Sequence, residues 1–498
     1  MIPDGTVAYE NYAAWEGAQV KTVSIVKAGL GGGAALLLAG FLAAPAQAAS
    51  GASVPCSSAA LITAITAANT AGGGTINLAS GCHYQLTSAV SGEDGLPSIG
   101  TAIGVNGNGA TIDGTNSVRV LEVDGPGGNL SLQNAAITGG SADIGGGIAN
   151  LGGTVTLNHS QVTGNTAMQA GGGIATATFD PSSVAKLTLN NSAVTGNSQT
   201  ESPAAGGLGG GGIVNVLGTV TLNSSQVNGN SAQGFVGGGI ANGDYFAFSG
   251  TSSFLTLNGS QVDNNTAPNA GGGGIQNLLG TATLNSSQVD GNSSLNGGGI
   301  SSGNGNGGAA QPGTSHLVLS KSQVNGNTAT APPGQGAPPI AAGGIANGGD
   351  AILNSTAVDD NTASHTSGAG IVNHGTMTLN KSEVNGNTAA GTGPVASGGG
   401  IISAQGEPGS LPTTLTLNNS QVSNNRAGGS GGGIANGLPG ALPGGALTLN
   451  HSDVTGNTAA HGGGIFNNGG TVTLSATSVT GNTPDNCEPT GTITGCTA

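Results

Sequence analysis

The chain has 498 residues, 99 of them glycine, and a formal net charge of −15 at pH 7. Aromatic residues make up 2% and charged residues 6%, which excludes an ordinary globular core, and the glycines lack a three-residue period, which excludes collagen. The acidic balance excludes nucleic acid as a partner, because a phosphate backbone binds basic surfaces.

Residues 1–48 are predicted to be an export signal. Two lysines precede an apolar run from Ala28 to Ala44, and Ala46-Gln47-Ala48 offers a small-residue cleavage site. The alternative is an uncleaved anchor, which the many Gly and Ala residues of the run argue against. No later stretch is expected to span a bilayer, so the mature chain is predicted to be secreted or associated with the cell surface.

Residues 49–90 are predicted to form an N-terminal cap around a short helix. Ser57 to Ala71 has leucine and isoleucine at helical spacing, a serine pair precedes them, and Gly72 to Gly74 end the run. A strand pattern, Thr75 to Leu78, follows directly. The helix is therefore expected to cover the open end of whatever fold follows.

The cysteines lie only near the two ends of the chain, at Cys56, Cys82, Cys487 and Cys496. An even number of cysteines in an exported chain predicts disulfides. Three pairings are possible, and the local one (56 with 82, 487 with 496) is favoured because the pairs would sit at opposite ends of a long rod. A metal site is the alternative, but apart from His83 next to Cys82 neither pair has closely spaced His or Cys companions. No metal or cofactor is predicted.

From about residue 130 the chain repeats one unit, whose most compact copy is GGGIFNNGGTVTLSATSVTGNT at Gly462 to Thr483. The copies align on the leucine of a TLN segment, followed by a Ser or Thr three residues later, a valine five residues later and an asparagine eight residues later. The eleven asparagines are Asn165, Asn197, Asn230, Asn265, Asn292, Asn327, Asn361, Asn387, Asn425, Asn457 and Asn482.

The local pattern of each copy is that of strands. Val155 and Leu157 face one way and the intervening Thr and Asn the other, and Gly or Asn separates the segments. An isoleucine, a TLN and a valine segment fit in one copy, so one copy is predicted to be one three-sided coil. Coils stacked about 4.8 Å apart would bring the asparagines into an inward-facing ladder at a corner. Residues 91–483 are predicted to form these coils and 484–498 a C-terminal tail.

Insertions between the segments are expected on one edge of the rod, where solenoids place recognition surfaces. They follow or precede the isoleucines of several copies, at Ile174, Ile213, Ile240, Ile300, Ile345, Ile401 and Ile434. One insertion holds Tyr245, Phe246 and Phe248, with Phe254 just beyond it. These rings are a speculative partner-binding site, because exposed aromatics stack on sugars; alternatively they fold against the rod.

The motifs GGGI-x-N and T-L-x-x-S-x-V-x-x-N, with an opening Cys–helix–Gly–strand–Cys, resemble right-handed parallel β-helix proteins of the pectin-lyase-like superfamily over about residues 54–483. The repeats look most like bacterial surface β-helix proteins, including the polymorphic outer-membrane proteins of chlamydiae. The resemblance implies an all-β fold, a right-handed single-stranded parallel β-helix of three sheets with an N-terminal capping helix. It does not specify function, because the superfamily holds lyases, hydrolases, adhesins and scaffolds.

The residues needed by enzymes of that superfamily are not evident. A pectate-type lyase would need an acidic calcium cluster beside a base, yet no basic residue of the mature chain, Arg119 included, sits among acids in the repeat alignment. Asp359-Asp360 is the only Asp pair, and the Gly-His-Gly segment of polygalacturonase-like enzymes is absent. Asp263 and Asp290 would be neighbours on adjacent coils. They suggest a weak calcium site or, preferably, a solvated polar column.

The sequence therefore predicts a non-catalytic β-helix scaffold that presents loops for adhesion or for polysaccharide or cell-surface contact. The alternative is a carbohydrate-active enzyme, a polysaccharide lyase or glycosidase with an unrecognised site. A passive structural filler is a third possibility. Thr-x-Thr arrays also suggest ice binding, but threonine favours strands in any case.

Overall fold

The structure is a computed structural model that describes residues 53–178, 183–234, 236–243, 253–303, 315–330, 340–364, 366–391, 396–406 and 412–496. The predicted export signal and Tyr245, Phe246 and Phe248 lie outside these ranges. Among the described residues, no helix combines the length and the apolar character needed to cross a membrane.

The single α-helix of the described chain, α1, spans Ser58–Thr70. Ser57 is its N-cap, in an extended conformation, and the Ser57 Oγ accepts a hydrogen bond from the Ala60 N–H at 3.4 Å. Leu61 and Ile65 are buried on the helix face that packs against the first strands, in the same core cluster as Ile76. The predicted helix is confirmed, and it buries apolar side chains at the N-terminal end of the core.

All other regular structure, apart from a short 3₁₀ turn at Pro203–Ala205, is strand, arranged in three parallel sheets. The predicted all-β, parallel β-helix architecture is confirmed. We name the sheets after their main inward-facing residues. The isoleucine sheet has 13 strands: Leu121–Asp124, Ile148–Leu151, Ile174–Ala177, Ile213–Val216, Ile240–Gly243, Ile275–Leu278, Ile300–Ser302, Ile345–Asn347, Ile371–Asn373, Ile401–Ser403, Ile434–Asn436, Ile465–Asn467 and Cys487–Glu488.

The leucine sheet has 26 strands and combines the TLN and valine segments. Its irregular first strands are Gly73–Asn77, His83–Gln85, Ala102–Asp113 and Asn129–Thr138. The TLN strands are Thr154–Asn158, Lys186–Asn190, Thr219–Asn223, Ser253–Asn258, Gly280–Asn285, His316–Ser320, Asp350–Asn354, Thr376–Asn380, Thr414–Asn418, Ala446–Asn450 and Thr471–Ser475. The valine strands are Gln161–Thr163, Ala193–Thr195, Gln226–Asn228, Gln261–Asp263, Gln288–Asp290, Gln323–Asn325, Ala357–Asp359, Glu383–Asn385, Gln421–Ser423, Asp453–Thr455 and Ser478–Thr480.

The third sheet shows that the prediction of three strand segments per coil is wrong. Each full coil has four strand segments, because a short segment after the asparagine, usually Thr-Ala or Ser-Ala, forms a separate sheet of 10 strands, here called the alanine sheet. The TLN and valine segments share one sheet and are separated by two residues, the first of which has positive φ, as His159 does (φ 50°). The alanine strands are Ser141–Ile144, Thr166–Ala170, Ser198–Gln199, Ser231–Ala232, Thr266–Gly271, Ser293–Asn296, Thr328–Thr330, Thr362–Ser364, Thr388–Ala390 and Arg426–Ala427.

Equivalent residues of successive coils pair directly. Leu189 pairs with Leu157 of the preceding coil and Leu222 of the following one, and Ile174 pairs with Ile148 and Ile213. The repeat isoleucine, leucine and valine of these coils, such as Ile148, Leu157 and Val162, are fully buried and belong to one core cluster. The core is therefore a column of aliphatic side chains, and its burial is the main stabilising contribution.

The asparagines eight residues after each leucine lie at the corner between the valine strand and the alanine sheet. They are at most 1% exposed, apart from Asn482 at 9%. In each, Nδ2 donates to Oδ1 of the next asparagine over 2.9 to 3.0 Å, from Asn165–Asn197 through to Asn457–Asn482. The same Oδ1 also accepts a backbone N–H, as when Asn327 Oδ1 accepts from Asn292 N at 2.9 Å. Each buried amide thus has its partner in the neighbouring coil.

A second amide column runs through the isoleucine sheet but is interrupted. Asn215 Nδ2 donates to Asn242 Oδ1 at 2.7 Å, and Asn242 Nδ2 donates to Asn277 Oδ1 at 2.8 Å. The Oδ1 atoms of Asn150, Asn215 and Asn436 are buried without a hydrogen-bond partner among the described residues. In the coil before each, the paired residues are Val123, Thr176 and Ser403, respectively. The unpaired oxygens therefore mark coils whose predecessor has no side-chain amide to donate.

Disulfides secure both ends of the described chain. They join Cys56 to Cys82 and Cys487 to Cys496, which confirms the predicted local pairing. In the predicted C-terminal tail, Cys487–Glu488 adds the last isoleucine-sheet strand, and Ile493 is 2% exposed within the core cluster. Residues after 484 therefore continue and close the core.

Replacing Asn327 by Leu is expected to lower the free energy of unfolding by ~1–3 kcal/mol, because Asn292 loses its acceptor and Asn361 its donor in a buried site. The measurement is a denaturant titration. Asn354→Leu, at a half-buried outward-facing position, is the matched control and is expected to lose less. An unchanged stability for Asn327→Leu would show that the corner column is not held by these bonds.

Replacing Thr176 by Asn is expected to raise the free energy of unfolding by about 1 kcal/mol. The new Nδ2 would donate to the unpaired Asn215 Oδ1, and the new Oδ1 would accept from Asn150. Thr188→Asn, on a half-buried outward-facing position of the leucine sheet, controls for the change of residue type. A destabilised Thr176→Asn variant with a stable control would contradict this explanation of the unpaired oxygens.

Candidate functional site

The outer face of the leucine sheet is the candidate site. Within each TLN strand the residues three and one before the leucine, and one after it, point outward while the apolar residues between them are buried. In six coils the first two of these outward positions are both threonine: Thr154 and Thr156, Thr219 and Thr221, Thr281 and Thr283, Thr376 and Thr378, Thr414 and Thr416, Thr471 and Thr473. Because the coils pair without register shift, these hydroxyls line up in two parallel rows.

The third outward position adds a ladder of half-buried asparagines. Asn190 Nδ2 donates to Asn158 Oδ1 at 2.9 Å, and the pattern repeats in two runs, Asn158 to Asn285 and Asn354 to Asn450, which Ser320 separates. These side chains are held in place before any partner arrives. A surface ordered in this way loses less side-chain entropy on binding.

The coils of Leu257, Leu319 and Leu353 place different side chains in these rows. Phe254 is 47% exposed and Ile352 43% exposed, both on the outer face of the leucine sheet. His316 and Asp350 are paired across adjacent strands, with 3.5 Å between Nδ1 and Oδ2. Phe254 is the one member of the predicted aromatic loop site that the structure describes, so the grouping of the four rings stays a prediction.

The position after each repeat valine forms a polar column on the leucine sheet, which holds amides and carboxylates from Asn228 to Asn385 and Thr or Ser in the other coils. Asp263 and Asp290 are neighbours in it, and Asp263 Oδ1 accepts the Asp290 backbone N–H at 3.2 Å. Burial raises the pKa of Asp263 to about 6, with a smaller contribution from the Asp290 charge, and burial also raises the pKa of Asp290. Burial likewise raises the pKa of Asp359 to about 6, with smaller contributions from the Glu383 and Asp360 charges, and its partners in the column, Asn325 and Asn385, are amides. The largest cause of the shift at both aspartates is therefore the half-buried position.

The aspartate column does not present a set of metal ligands. Asp263 and Asp290 supply two carboxyl groups, whereas calcium takes six to eight oxygen ligands. Across the described ranges, no group of three or more His, Cys, Asp and Glu side chains is placed to hold a metal ion.

One basic residue does lie among acids, contrary to the prediction from the repeat alignment. Arg119 is 7% exposed; its Nη1 lies 2.7 Å from Asp94 Oδ1 and 3.2 Å from Glu122 Oε2, and its Nη2 lies 2.9 Å from Glu93 Oε2. Its Nε donates to the Ile144 carbonyl at 3.0 Å. The alignment missed this cluster because Glu93 and Asp94 precede the regular repeats. With every guanidinium nitrogen bonded, Arg119 ties the irregular first coils to the repeats.

The insertions have a packing role over the isoleucine sheet. Residues on the outside of the isoleucine sheet, such as Val214 and Ala241, are at most 2% exposed and share a cluster with Leu208 of the insertion before Ile213. Further along, Val372 and Ile402 share a second such cluster with Leu438. The described parts of these insertions thus cover the isoleucine sheet, and the leucine sheet keeps an open outer face.

No known protein-family model, no curated protein and no solved structure matches this chain. The parallel β-helix is established by the structure, and the likeness to the pectin-lyase-like superfamily rests on the sequence motifs.

The aspartate column predicts a stability that depends on pH. A carboxyl whose pKa is about 6 in the folded chain and ordinary in the unfolded chain binds more protons when folded, so the free energy of unfolding falls as pH rises from about 4 to about 6. Asparagine already occupies two positions of this column, Asn228 and Asn325. Replacing both Asp263 and Asp359 by Asn is therefore expected to remove the fall in the free energy of unfolding. The double variant is expected to gain about 1 kcal/mol per site at pH 8, after allowance for solvent screening, and nothing at pH 4.

The measurement is a set of denaturant titrations between pH 4 and pH 8, with the exposed Asp453→Asn as control. An equal gain at both pH values would show that the carboxyl groups are not the cause.

Proposed function

We propose that this chain is a non-catalytic extracellular β-helix scaffold whose outer leucine-sheet face binds a neutral polysaccharide or a similar cell-surface component. The ordered rows of hydroxyl and amide groups on that face carry the proposal. Hydroxyl and amide side chains both donate and accept hydrogen bonds, as sugar hydroxyls do. Rows repeated about every 4.8 Å offer a periodic polymer the same contacts many times over.

Charge favours a neutral partner. With a formal net charge of −15, the chain repels polyanions at low salt. The outward TLN positions themselves carry few charges, among them Lys186 and Asp350. Hydrogen bonding and apolar contact are therefore the interactions this face offers.

An extracellular location agrees with two disulfides, which persist in oxidising compartments, and with the export signal expected from residues 1–48. Membership of the pectin-lyase-like superfamily is part of this proposal and rests on the motif resemblance.

The pair of Asp263 and Asp290 is the specific observation that favours the alternative, a carbohydrate-active enzyme, since glycosidases use two carboxyl groups with separated pKa values. The environment of Asp359 argues against the enzyme alternative. Burial is the largest cause of the raised pKa at Asp359 as it is at Asp263, and the column partners of Asp359 are amides, so burial rather than a tuned catalytic pair accounts for most of the shift at Asp263.

The test is retention on a polysaccharide array combined with an assay for newly released reducing ends. The full chain is expected to be retained by neutral polysaccharides without releasing products. A double variant, Thr221→Glu with Thr283→Glu, is expected to lose at least about tenfold in retention, because two carboxylates replace hydroxyls at the centre of the face.

Thr328→Glu, at a half-buried outward-facing position of the alanine sheet, is the matched control and should bind like the parent. Released reducing ends would overturn the non-catalytic assignment. Equal losses in the double variant and the control would show that the leucine-sheet face is not the binding surface.

A further inference from the structure

We infer that the binding centre of the outer face is a patch formed by Phe254, His316, Val318, Asp350 and Ile352, over which one chain of a neutral polysaccharide lies along the rod axis. We call these residues the Phe254 patch. The inference rests on the proposed function and specifies where on the face, and in which direction, the polymer binds.

The register of the strands places these residues in two adjoining rows. In the first row Phe254 pairs with Thr281, Thr281 with His316, and His316 with Asp350. In the second row Val318 pairs with Ile352. Three strand spacings separate Phe254 from Asp350, so the first row extends about 14 Å along the axis. That is the direction in which a polymer would meet the whole patch.

Exposed apolar side chains set the patch apart from the rest of the face. Phe254 is 47% exposed and Ile352 43% exposed. The neighbours of Phe254 in its row, Thr219 and Thr281, are shorter and leave the ring accessible. Elsewhere in the leucine rows these positions hold mostly Thr, which the strand accepts without difficulty. An aromatic ring left in water at a position suited to threonine is a platform for the apolar face of a sugar ring.

His316 and Asp350 supply the polar part of the site. Their side chains are 48% and 46% exposed, and the 3.5 Å between Nδ1 and Oδ2 is longer than a good hydrogen bond. The imidazole Nε2 and the second carboxylate oxygen are therefore available to hydroxyl groups, and the Thr281 hydroxyl lies in the row between the imidazole and the aromatic ring. A few convergent polar groups beside an apolar platform are typical of ligand sites.

Charge within the patch selects against acidic polymers. Asp350 carries a negative charge, and no Lys or Arg is among the patch residues. A polymer with a carboxylate on each sugar would meet a like charge at the His316–Asp350 end and the net negative charge of the whole chain. The expected partner is an uncharged polysaccharide with an apolar face on its sugar rings.

The test is affinity electrophoresis of the full chain in gels that contain xyloglucan, galactomannan, mixed-linkage glucan or polygalacturonate. Phe254→Ala and His316→Ala are each expected to weaken binding to the neutral polymer that retains the parent by about tenfold, whereas Phe254→Trp keeps it. Met168→Ala removes a side chain that is also about half exposed (45%) from the alanine sheet and should change nothing. Circular dichroism and thermal unfolding confirm that each variant is folded.

The outcomes separate the patch from the proposed function. If the parent chain is retarded by none of the polymers, the proposed function fails and the patch with it. If the parent is retarded but Phe254→Ala and His316→Ala migrate like the parent, the face binds sugar and the patch inference is overturned. Stronger retardation by polygalacturonate than by the neutral polymers would overturn the neutral partner.

Discussion

The pairing of each residue with its own equivalent in the next coil is the constraint on which the structure depends. Under this constraint, a polar side chain that faces the interior must find its partner in a copy of itself. Asparagine meets that condition because one amide carries both donor and acceptor, and the corner column from Asn165 to Asn482 bonds in a single direction through the rod. Where the column in the isoleucine sheet meets Thr176, the donor is missing and an oxygen stays unpaired.

The same pairing shapes the outside of the molecule. It aligns threonine hydroxyls and asparagine amides into rows on the leucine sheet, which other residues such as Phe254 interrupt. It also makes carboxylates costly in a half-buried column, since neighbouring coils offer only one backbone N–H to each aspartate, as at Asp263. The fold, the rows of side chains on its surface and the raised pKa values of the aspartates thus all follow from the pairing of equivalent residues in successive coils.

The fold was readable from the sequence because its signal repeats at every coil, as in the fixed spacing between Leu157, Val162 and Asn165. Features that lack a clear strand period, or that lie outside the repeat, are not readable. Thr166-Ala167 is too short to show a strand period, so the sequence does not predict the alanine sheet. The ion pair between Arg119 and Glu93 is not predicted either, because both residues lie in the irregular early coils. Phe254 was noticed as part of an aromatic loop, whereas its place in a row with His316 and Asp350 required the strand register.

The most direct test of the stacking account is hydrogen exchange of the side-chain amides, followed by NMR on protein labelled with heavy nitrogen in asparagine alone. The account predicts that the Nδ2 protons of the corner column, from Asn197 to Asn457, exchange only through large-scale opening and form a slow group distinct from exposed asparagines such as Asn264. Exchange of the corner asparagines at the rate of Asn264 would contradict it.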